Sequence, residues 1–123
     1  MLRALNQTRG TCIARRVEVA DSSETRTKGL LGRSGLAPDS GLWIEPGEWV
    51  HMFGMKFAID IVVLDRKHRV VGVKADLKPG AIGPLFWGAH STLEVTVGAI
   101  AASGTVKGDQ IAWEETDGEA AAG

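Results

Sequence analysis

The sequence predicts an all-β protein: a compact sandwich or barrel of short, mostly antiparallel strands with one short helix near residues 22–32. Three observations favour this fold class. Short segments rich in β-branched residues recur along the chain between glycines and prolines. Glycine occurs 16 times without a period, whereas average usage would give about nine, and this excess indicates many turns. A single segment carries clear start and stop signals of a helix.

The ordered part of the chain is predicted to begin with a strand followed by the helix. The strand lies near residues 12–20, where apolar side chains recur at alternate positions. Asp21 can then cap the free amides of a helix, and Glu24, three positions later, completes a pattern like a capping box. We expect the helix to run from about residue 22 to 31 and to end at Gly32, since glycine commonly follows a last helical turn.

The centre of the chain predicts four further strands. Short strands near 41–45 and 48–53 are separated by a Pro-Gly pair, which is a strong turn signal. Residues 57–64 form the clearest strand, because they are apolar at both parities, as in a strand buried on both faces. A charged turn follows, and residues 69–75 return as the second half of a hairpin.

The C-terminal third begins with a loop rich in glycine and proline. It continues with a strand at 92–97, a short helical turn at 98–103 and a last strand at 109–114. The loop carries Leu85, Phe86 and Trp87 in succession. These large apolar side chains either close the end of a barrel or present a binding patch.

Length, charge and cysteine content exclude several classes of protein. At about 150 residues per domain, the 123 residues make one domain, which we place at 12–115 between flexible termini at 1–11 and 116–123. Fourteen basic and fifteen acidic residues leave a net charge of −1, which argues against nucleic-acid binding. The single cysteine, Cys12, excludes an internal disulfide. Neither a signal peptide nor a membrane span is evident, so a cytoplasmic protein is expected.

Asp60 is the most unusual residue, because it is a carboxylate within the apolar strand at 57–64. The expected hairpin register places it opposite Val73, among aliphatic side chains. An ionised carboxylate without a partner there would cost several kcal/mol, so Asp60 needs a partner or a proton. We expect Arg33, just past the helix, to reach Asp60 and satisfy both carboxylate oxygens. The alternatives are a perturbed acid in a pocket and a solvated strand face.

The segment His51-Met52-Phe53-Gly54-Met55 raises the question of a soft-metal site. On a regular strand, His51 and Met55 share a face about 13 Å apart, while Met52 points the other way. A bulge at the glycine would be needed to bring them together, and methionine more often fills a core. We therefore expect neither a metal nor a cofactor, although the sequence leaves metal binding at this segment open.

Several short motifs also occur, each once, in a characteristic order between Val17 and about Glu114. They are Val17-Glu18-Val19-Ala20-Asp21, Arg26, Lys28-Gly29-Leu30-Leu31-Gly32-Arg33, Gly41-Leu42-Trp43-Ile44, Met55-Lys56, Ile59-Asp60-Ile61-Val62-Val63-Leu64-Asp65, Leu93-Glu94-Val95, Gly98, Gly104 and Gly108-Asp109. This order and spacing resemble the uncharacterised prokaryotic family called domain of unknown function 192. The resemblance implies a compact β-sandwich or barrel with a short helix on one side, and no particular reaction. It also implies that five residues occupy signature positions of the family: Arg33, Met55, Asp60, Glu94 and Asp109.

The sequence favours a non-enzymatic binding or accessory domain, with an unidentified small ligand or a protein partner at the open end of the barrel. The candidate ligand-binding residues are Arg33, Trp49, His51, Met55, Asp60, Phe86 and Trp87. No catalytic residue is assigned, because no nucleophile lies beside a base in the sequence. The alternative is an enzyme with Asp60 or His51 as the acid–base group and Arg33 holding an anionic substrate. We expect a monomer or a weak homodimer, and an edge strand offered to a larger assembly is a third possibility.

Overall fold

The computed structural model describes residues 1–116 and shows a mainly β fold, a seven-stranded sheet curled into a half-barrel. This confirms the predicted fold class. The strands are β1 (Leu2–Asn6), β2 (Thr11–Ala20), β3 (Ser40–Ile44), β4 (Ile59–Leu64), β5 (Val70–Leu77), β6 (Ser91–Val95) and β7 (Ile111–Glu115). The helices are α1 (Ser23–Lys28) and α2 (Ala99–Ser103).

The strands lie in the order β5-β4-β6-β3-β2-β1-β7, and neighbours are antiparallel except for the parallel pair β2 and β3. The two outer strands approach each other at one corner. There the Val70 N–H donates to the Asp109 carbonyl, and the Gly108 N–H donates to the Val70 carbonyl, both at 2.8 Å. The sheet therefore curls until its edges meet locally, which protects part of both edges.

β4 lies at the centre of the packing, as its uninterrupted apolar sequence predicts, and all six of its residues are buried. Val62 and Leu64 face one core cluster, whereas Ile61 and Val63 face a second cluster on the opposite side of the sheet. The second cluster also contains Leu30, from the segment after α1. Both faces of the sheet are thus covered, which explains why alternation of polar and apolar residues is absent from this strand.

α1 is shorter than predicted and begins one residue later. Its N-cap is Ser22 rather than Asp21: the Ser22 hydroxyl accepts from the Thr25 N–H at 3.1 Å, and the Thr25 hydroxyl accepts from the Ser22 N–H at 3.1 Å. This reciprocal pair forms a complete capping box, so Glu24 has no part in it. The helix ends at Gly29, whose positive φ of 49° terminates it three residues before the predicted glycine.

The expectation of flexible residues at 1–11 is wrong, because Leu2–Asn6 form β1 between β2 and β7. The segment is held by a buried side chain as well as by the ladder: the Asn6 amide nitrogen donates to Thr105 Oγ1 at 3.0 Å and to Asp109 Oδ2 at 2.9 Å. Thr116, which was expected in the C-terminal tail, is buried and donates from its N–H to the Met1 carbonyl at 3.1 Å. The rest of that predicted tail, 117–123, lies outside the described residues.

The strand predicted near 48–53 is not formed. This segment makes one isolated bridge, between His51 and Ile82, and exchanges a few backbone hydrogen bonds with the loop before β6. The Val50 carbonyl accepts from the Gly83 N–H, and the Met52 N–H donates to the Ala81 carbonyl, both at 2.7 Å. The segment is therefore an ordered loop that covers one face of the sheet, and it forms a wall of the cleft described next.

Candidate functional site

A cleft of about 260 Å³ opens between α1 and the loop that follows β3. The end of α1 and the turn after it form one wall, the loop at 46–55 forms the other, and β6 lies at the base. The principal lining side chains are Arg26, Lys28, Leu30, Ile44, Trp49, Val50, His51, Met52, Met55 and Glu94. The cleft thus combines residues that are far apart in the sequence.

Glu94 is the carboxylate at the base of this cleft. β6 pairs with β3 and β4, so Glu94 lies between Leu42 and Ile61 of the neighbouring strands. Its exposed fraction is 5%. Within residues 1–116, no side chain or backbone N–H donates a hydrogen bond to it, and burial raises the pKa of the carboxyl to about 7. Near neutral pH, Glu94 therefore exists in both protonation states.

The walls are apolar at depth and polar at the mouth. Leu30 and Met52 are 2% and 1% exposed and belong to the core cluster beneath α1. At the mouth, Lys28 is exposed and Arg26 is half-buried, with its Nη1 donating to the Asp21 carbonyl at 2.7 Å. Both residues belong to α1. The lining thus combines one buried acid, Glu94, with two more exposed basic residues, Arg26 and Lys28, and with buried apolar side chains.

The loop wall contributes two aromatic rings. Trp49 is 44% exposed, and its indole N–H donates to the Gly83 carbonyl at 2.9 Å, which fixes the ring. His51 is exposed, with its ring centre 5.9 Å from that of Trp49 and 4.9 Å from that of Phe53. Met55 lines the same cleft. Of the residues predicted from the sequence to bind a ligand, the structure brings together Trp49, His51 and Met55.

The other predicted site residues lie outside the cleft. Arg33 donates from Nη2 to Glu18 Oε2 at 2.9 Å on the surface. Phe86 is half-buried over Gly72, where a side chain in place of the glycine hydrogen would overlap the ring. Trp87 is 99% exposed and projects from the same loop. These residues do not belong to one site with Trp49 and His51.

The predicted contact between Asp60 and Arg33 is wrong. Asp60 is fully buried, and its partners are backbone amides: Oδ1 accepts from the Asp76 N–H at 2.9 Å, and Oδ2 accepts from the N–H groups of Gly98 and Ile100, each at 3.1 Å. The expected register is also shifted, because Val73 pairs with Val62. Asp60 thus supports the start of α2 and the end of β5, and its side chain is not exposed at the surface.

Asp109 is a second carboxylate with a structural environment. It is 3% exposed and accepts from Asn6 Nδ2 and Arg9 Nε, each at 2.9 Å, and from the Val106 N–H at 3.1 Å. Burial acts to raise the pKa of this carboxyl, but the hydrogen bonds from Asn6, Arg9 and Val106 outweigh it and the pKa is lowered. Asp109 therefore connects β1 to the turn before β7 as an ionised group.

Glu94 was not among the ligand-binding residues predicted from the sequence, although the family resemblance marks its position. A local signal was present, because Glu94 is the charged residue of the short strand β6, as Asp60 is of β4. The His51–Met55 segment does not form a compact ligand set, since His51 is exposed while Met52 is buried in the core. Among the described residues, no group of three or more histidine, cysteine or acidic side chains could hold a metal ion. None of the helices formed by residues 1–116 has the length and apolar character needed to cross a membrane.

Comparison with known proteins gives a consistent result. The family model DUF192, described as an uncharacterized ACR, matches residues 4–113. A UPF0127 protein from Thermococcus sibiricus is 32% identical over 118 residues, which cover 89% of this chain and 73% of that protein. Neither description names a reaction or a ligand.

Two crystal structures have similar folds. A protein of unknown function from Novosphingobium aromaticivorans superposes with a TM-score of 0.72 at 23% identity, covering 91% of this chain and 83% of the other. A protein from Sinorhizobium meliloti, described as a "putative transcription regulator", superposes with a TM-score of 0.74 at 20% identity, covering 91% of both chains. At these identities the similarity supports the fold alone.

Proposed function

The chain belongs to the DUF192 family of uncharacterised proteins, and on that premise we propose that it is a non-enzymatic binding domain that holds a small molecule in the cleft above Glu94. The observation that carries this proposal is the carboxyl of Glu94. It is buried, it faces the cleft, and no donor among residues 1–116 satisfies it.

A buried polar group without a partner costs about 1–3 kcal/mol, and more when it is charged. Folded proteins therefore rarely keep one unless it has a role. Asp60 shows that this sheet can satisfy a buried carboxylate with backbone N–H groups. No donor among the described residues reaches Glu94, so its hydrogen bonds come from whatever occupies the cleft, which is water or a bound molecule.

The rest of the cleft supports the same proposal. Small-molecule sites are concave and mostly apolar, with a few polar groups that fix orientation. Leu30, Val50 and Met52 supply the apolar surface, and Trp49 supplies an aromatic ring fixed by its hydrogen bond to the Gly83 carbonyl. Trp49, His51 and Met55 thus remain in the proposed site, while the contacts of Arg33, Asp60 and Phe86 support structural roles.

An acid–base enzyme is the second candidate, and one specific observation favours it. The pKa of Glu94 is raised to about 7, which suits proton transfer at neutral pH. The enzyme hypothesis drawn from the sequence had Asp60 or His51 as the acid–base group and Arg33 as the residue that holds the substrate. In the structure, Asp60 is fully buried and Arg33 is paired with Glu18. In such an enzyme, Glu94 would therefore replace Asp60 as the acid–base group. The binding domain is preferred because, in the described part of the chain, no second ionisable group lies within hydrogen-bonding distance of Glu94.

The proposal is tested by screening small amphipathic fragments against the ¹⁵N-labelled protein by NMR. We expect the bound fragments to shift the amides of residues 26–31 and 49–52. Thr27→Trp places a large ring at the mouth of the cleft from an exposed position of α1, and it should abolish these shifts. Lys107→Trp, in an exposed turn that does not line the cleft, is the matched control and should retain them. Shifts confined to the loop around Trp87, or binding that survives Thr27→Trp, would contradict the proposal.

A further inference from the structure

Building on the proposed function, we infer that the ligand is a small zwitterion with a primary ammonium group at one end and an anionic group at the other, joined by an apolar stretch. The ammonium group binds Glu94 at the base of the cleft. The anionic group binds the cationic side chains of Arg26 and Lys28 at the mouth.

The base of the cleft selects a cation. Glu94 offers two acceptor oxygens and, when ionised, one negative charge, with Leu42 and Ile61 on the flanking strands and Leu30 and Met52 in the walls. In such apolar surroundings the interaction between unlike charges is strong, and the exclusion of an anion is equally strong. An ammonium group supplies both the donors and the charge that residues 1–116 do not supply here.

The mouth of the cleft selects an anion. The ionisable groups that line it besides Glu94 are Arg26 and Lys28 of α1 and His51 of the opposite loop. A simple monocation would have to pass Arg26 and Lys28 without compensation, whereas a trailing carboxylate or phosphate-like group gains from these two cations. Charges of opposite sign at the two ends therefore match a dipolar molecule in a single orientation.

The middle of the cleft is suited to methylene groups. Leu30, Val50 and Met52 are buried core residues whose side chains line this region, and each buried methylene of a ligand contributes about 0.8 kcal/mol. A straight-chain ω-amino acid has this arrangement of ammonium, methylenes and carboxylate, so it serves as a defined probe of the inferred chemistry.

The test is calorimetric titration with ω-amino acids of four to eight carbons, compared with hexanoate, hexylamine and 6-hydroxyhexanoate. We expect binding by at least one ω-amino acid of matching length, no binding of hexanoate, and at least tenfold weaker binding of the hydroxy acid. Glu94→Gln should weaken binding of that amino acid at least tenfold, and Arg26→Gln should weaken it severalfold. Glu18→Gln, which removes a surface carboxylate paired with Arg33, is the matched control and should leave it unchanged.

Proton release on ligand binding can be measured with the wild-type protein, so this test does not require a substituted protein to fold. Because the ammonium group binds the ionised form of Glu94, its binding should release protons below pH 7 and weaken about tenfold per pH unit there. The same profile should persist in His51→Asn, which excludes the histidine as its source.

Failure of this inference is distinguishable from failure of the proposed function. If hexanoate or 6-hydroxyhexanoate binds as well as the amino acid and shifts the same cleft amides, the cleft is a binding site and the zwitterion is wrong. If no ω-amino acid binds while library fragments shift the cleft amides, the zwitterion is again wrong. If neither probes nor fragments reach these amides, both proposals fail.

Discussion

At the scale of single residues, the two buried carboxylates Asp60 and Glu94 show how neighbours determine the role of an acid. Asp60 accepts three backbone N–H bonds near the start of α2 and the end of β5, so both of its carboxyl oxygens have donors without a cation. Glu94 lies on the opposite face of the sheet, in a cleft with apolar walls, and has no such donors among the described residues. The first residue stabilises the fold, and the second costs stability.

We predict that Glu94→Gln changes the dependence of stability on pH. The pKa of Glu94 is raised from 4.5 to about 7, so between these values the folded chain holds a proton that the unfolded chain releases. The contribution of the protonated group is complete below pH 4.5 and is lost as pH rises through 7, which amounts to about 3 kcal/mol.

Urea unfolding of both proteins at pH 4.5 and pH 8 measures this effect. The free energy of unfolding of the wild type, relative to that of Glu94→Gln, should fall by about 3 kcal/mol between the two values. Parallel pH profiles of the two proteins would show that Glu94 titrates normally.

We also predict that substitutions at Asp60 and at Arg33 have very different effects on the free energy of unfolding. Asp60→Ala leaves three partly buried backbone N–H groups without their acceptor and empties a fully buried position, so it should destabilise the protein by about 3 kcal/mol. Arg33→Met removes only a surface ion pair with Glu18 and should change the free energy of unfolding by less than about 1 kcal/mol. Denaturant unfolding at pH 7 measures both, and a large effect of Arg33→Met would restore the salt bridge expected from the sequence.

At the scale of elements, the two aromatic residues of the loop between β5 and β6 have different environments: one packs against the sheet and the other is exposed to solvent. Phe86 covers the backbone of β5 where Gly72 leaves room for the ring, and it joins the core cluster on that face. Trp87, the next residue, is exposed together with Leu85 and Ile82. Packing therefore applies to Phe86, whereas a binding patch at the exposed Leu85 and Trp87 stays a prediction.

We predict that Phe86→Ala destabilises the protein by about 2–3 kcal/mol, because it removes a half-buried ring from a packed site. Trp87→Ala should change stability by less than about 0.5 kcal/mol, since its side chain is in solvent. Thermal and urea unfolding measure both. Gly72→Ala should act like Phe86→Ala because its methyl group displaces the ring, whereas Gly35→Ala, in open space, is the control. Equal effects at Phe86 and Trp87 would contradict this division.

At the scale of the whole molecule, closure of the sheet depends on β1. In the strand order, β7 pairs with β1, and β1 joins it to β2. The side chains of Asn6 and Arg9 also bind Asp109 at the turn before β7. The N-terminal residues thus connect the last strand to the rest of the half-barrel.

We predict that a chain starting at residue 12 does not form a cooperatively folded protein. Without β1, the backbone groups of β7 and the inner edge of β2 lose their partners, and Asp109 loses two of its donors. Near-UV circular dichroism and amide hydrogen exchange of the truncated chain, compared with the full chain, measure the loss. Retention of a sharp unfolding transition with similar stability would show that the predicted boundary at residue 12 is adequate.

Much of the fold was predictable because strand signals are local. The apolar run at 57–64, the alternation at 12–20 and the turn signals between segments depend on neighbouring residues alone. β1 was missed because Leu2–Asn6 contains no β-branched or aromatic residue, so its local strand signal is weak, and its pairing with β2 and β7 is seen only in the folded chain. The helix end was misplaced because Gly29 and Gly32 both offer a stop signal and both have positive φ in the structure, and the helix ends at the first of them.

The sequence by itself determined the β-rich class, the burial of the central strand and the requirement that a carboxylate at position 60 be compensated. It could not determine the compensating groups, since the N–H donors from residues 76, 98 and 100 reach Asp60 only after the sheet has curled. The tertiary structure likewise decided that Glu94 lies at the base of a cleft beside α1. The propensity of a segment to form a strand or a helix depends on nearby residues. The burial and hydrogen bonding of a side chain depend instead on segments that only folding brings together.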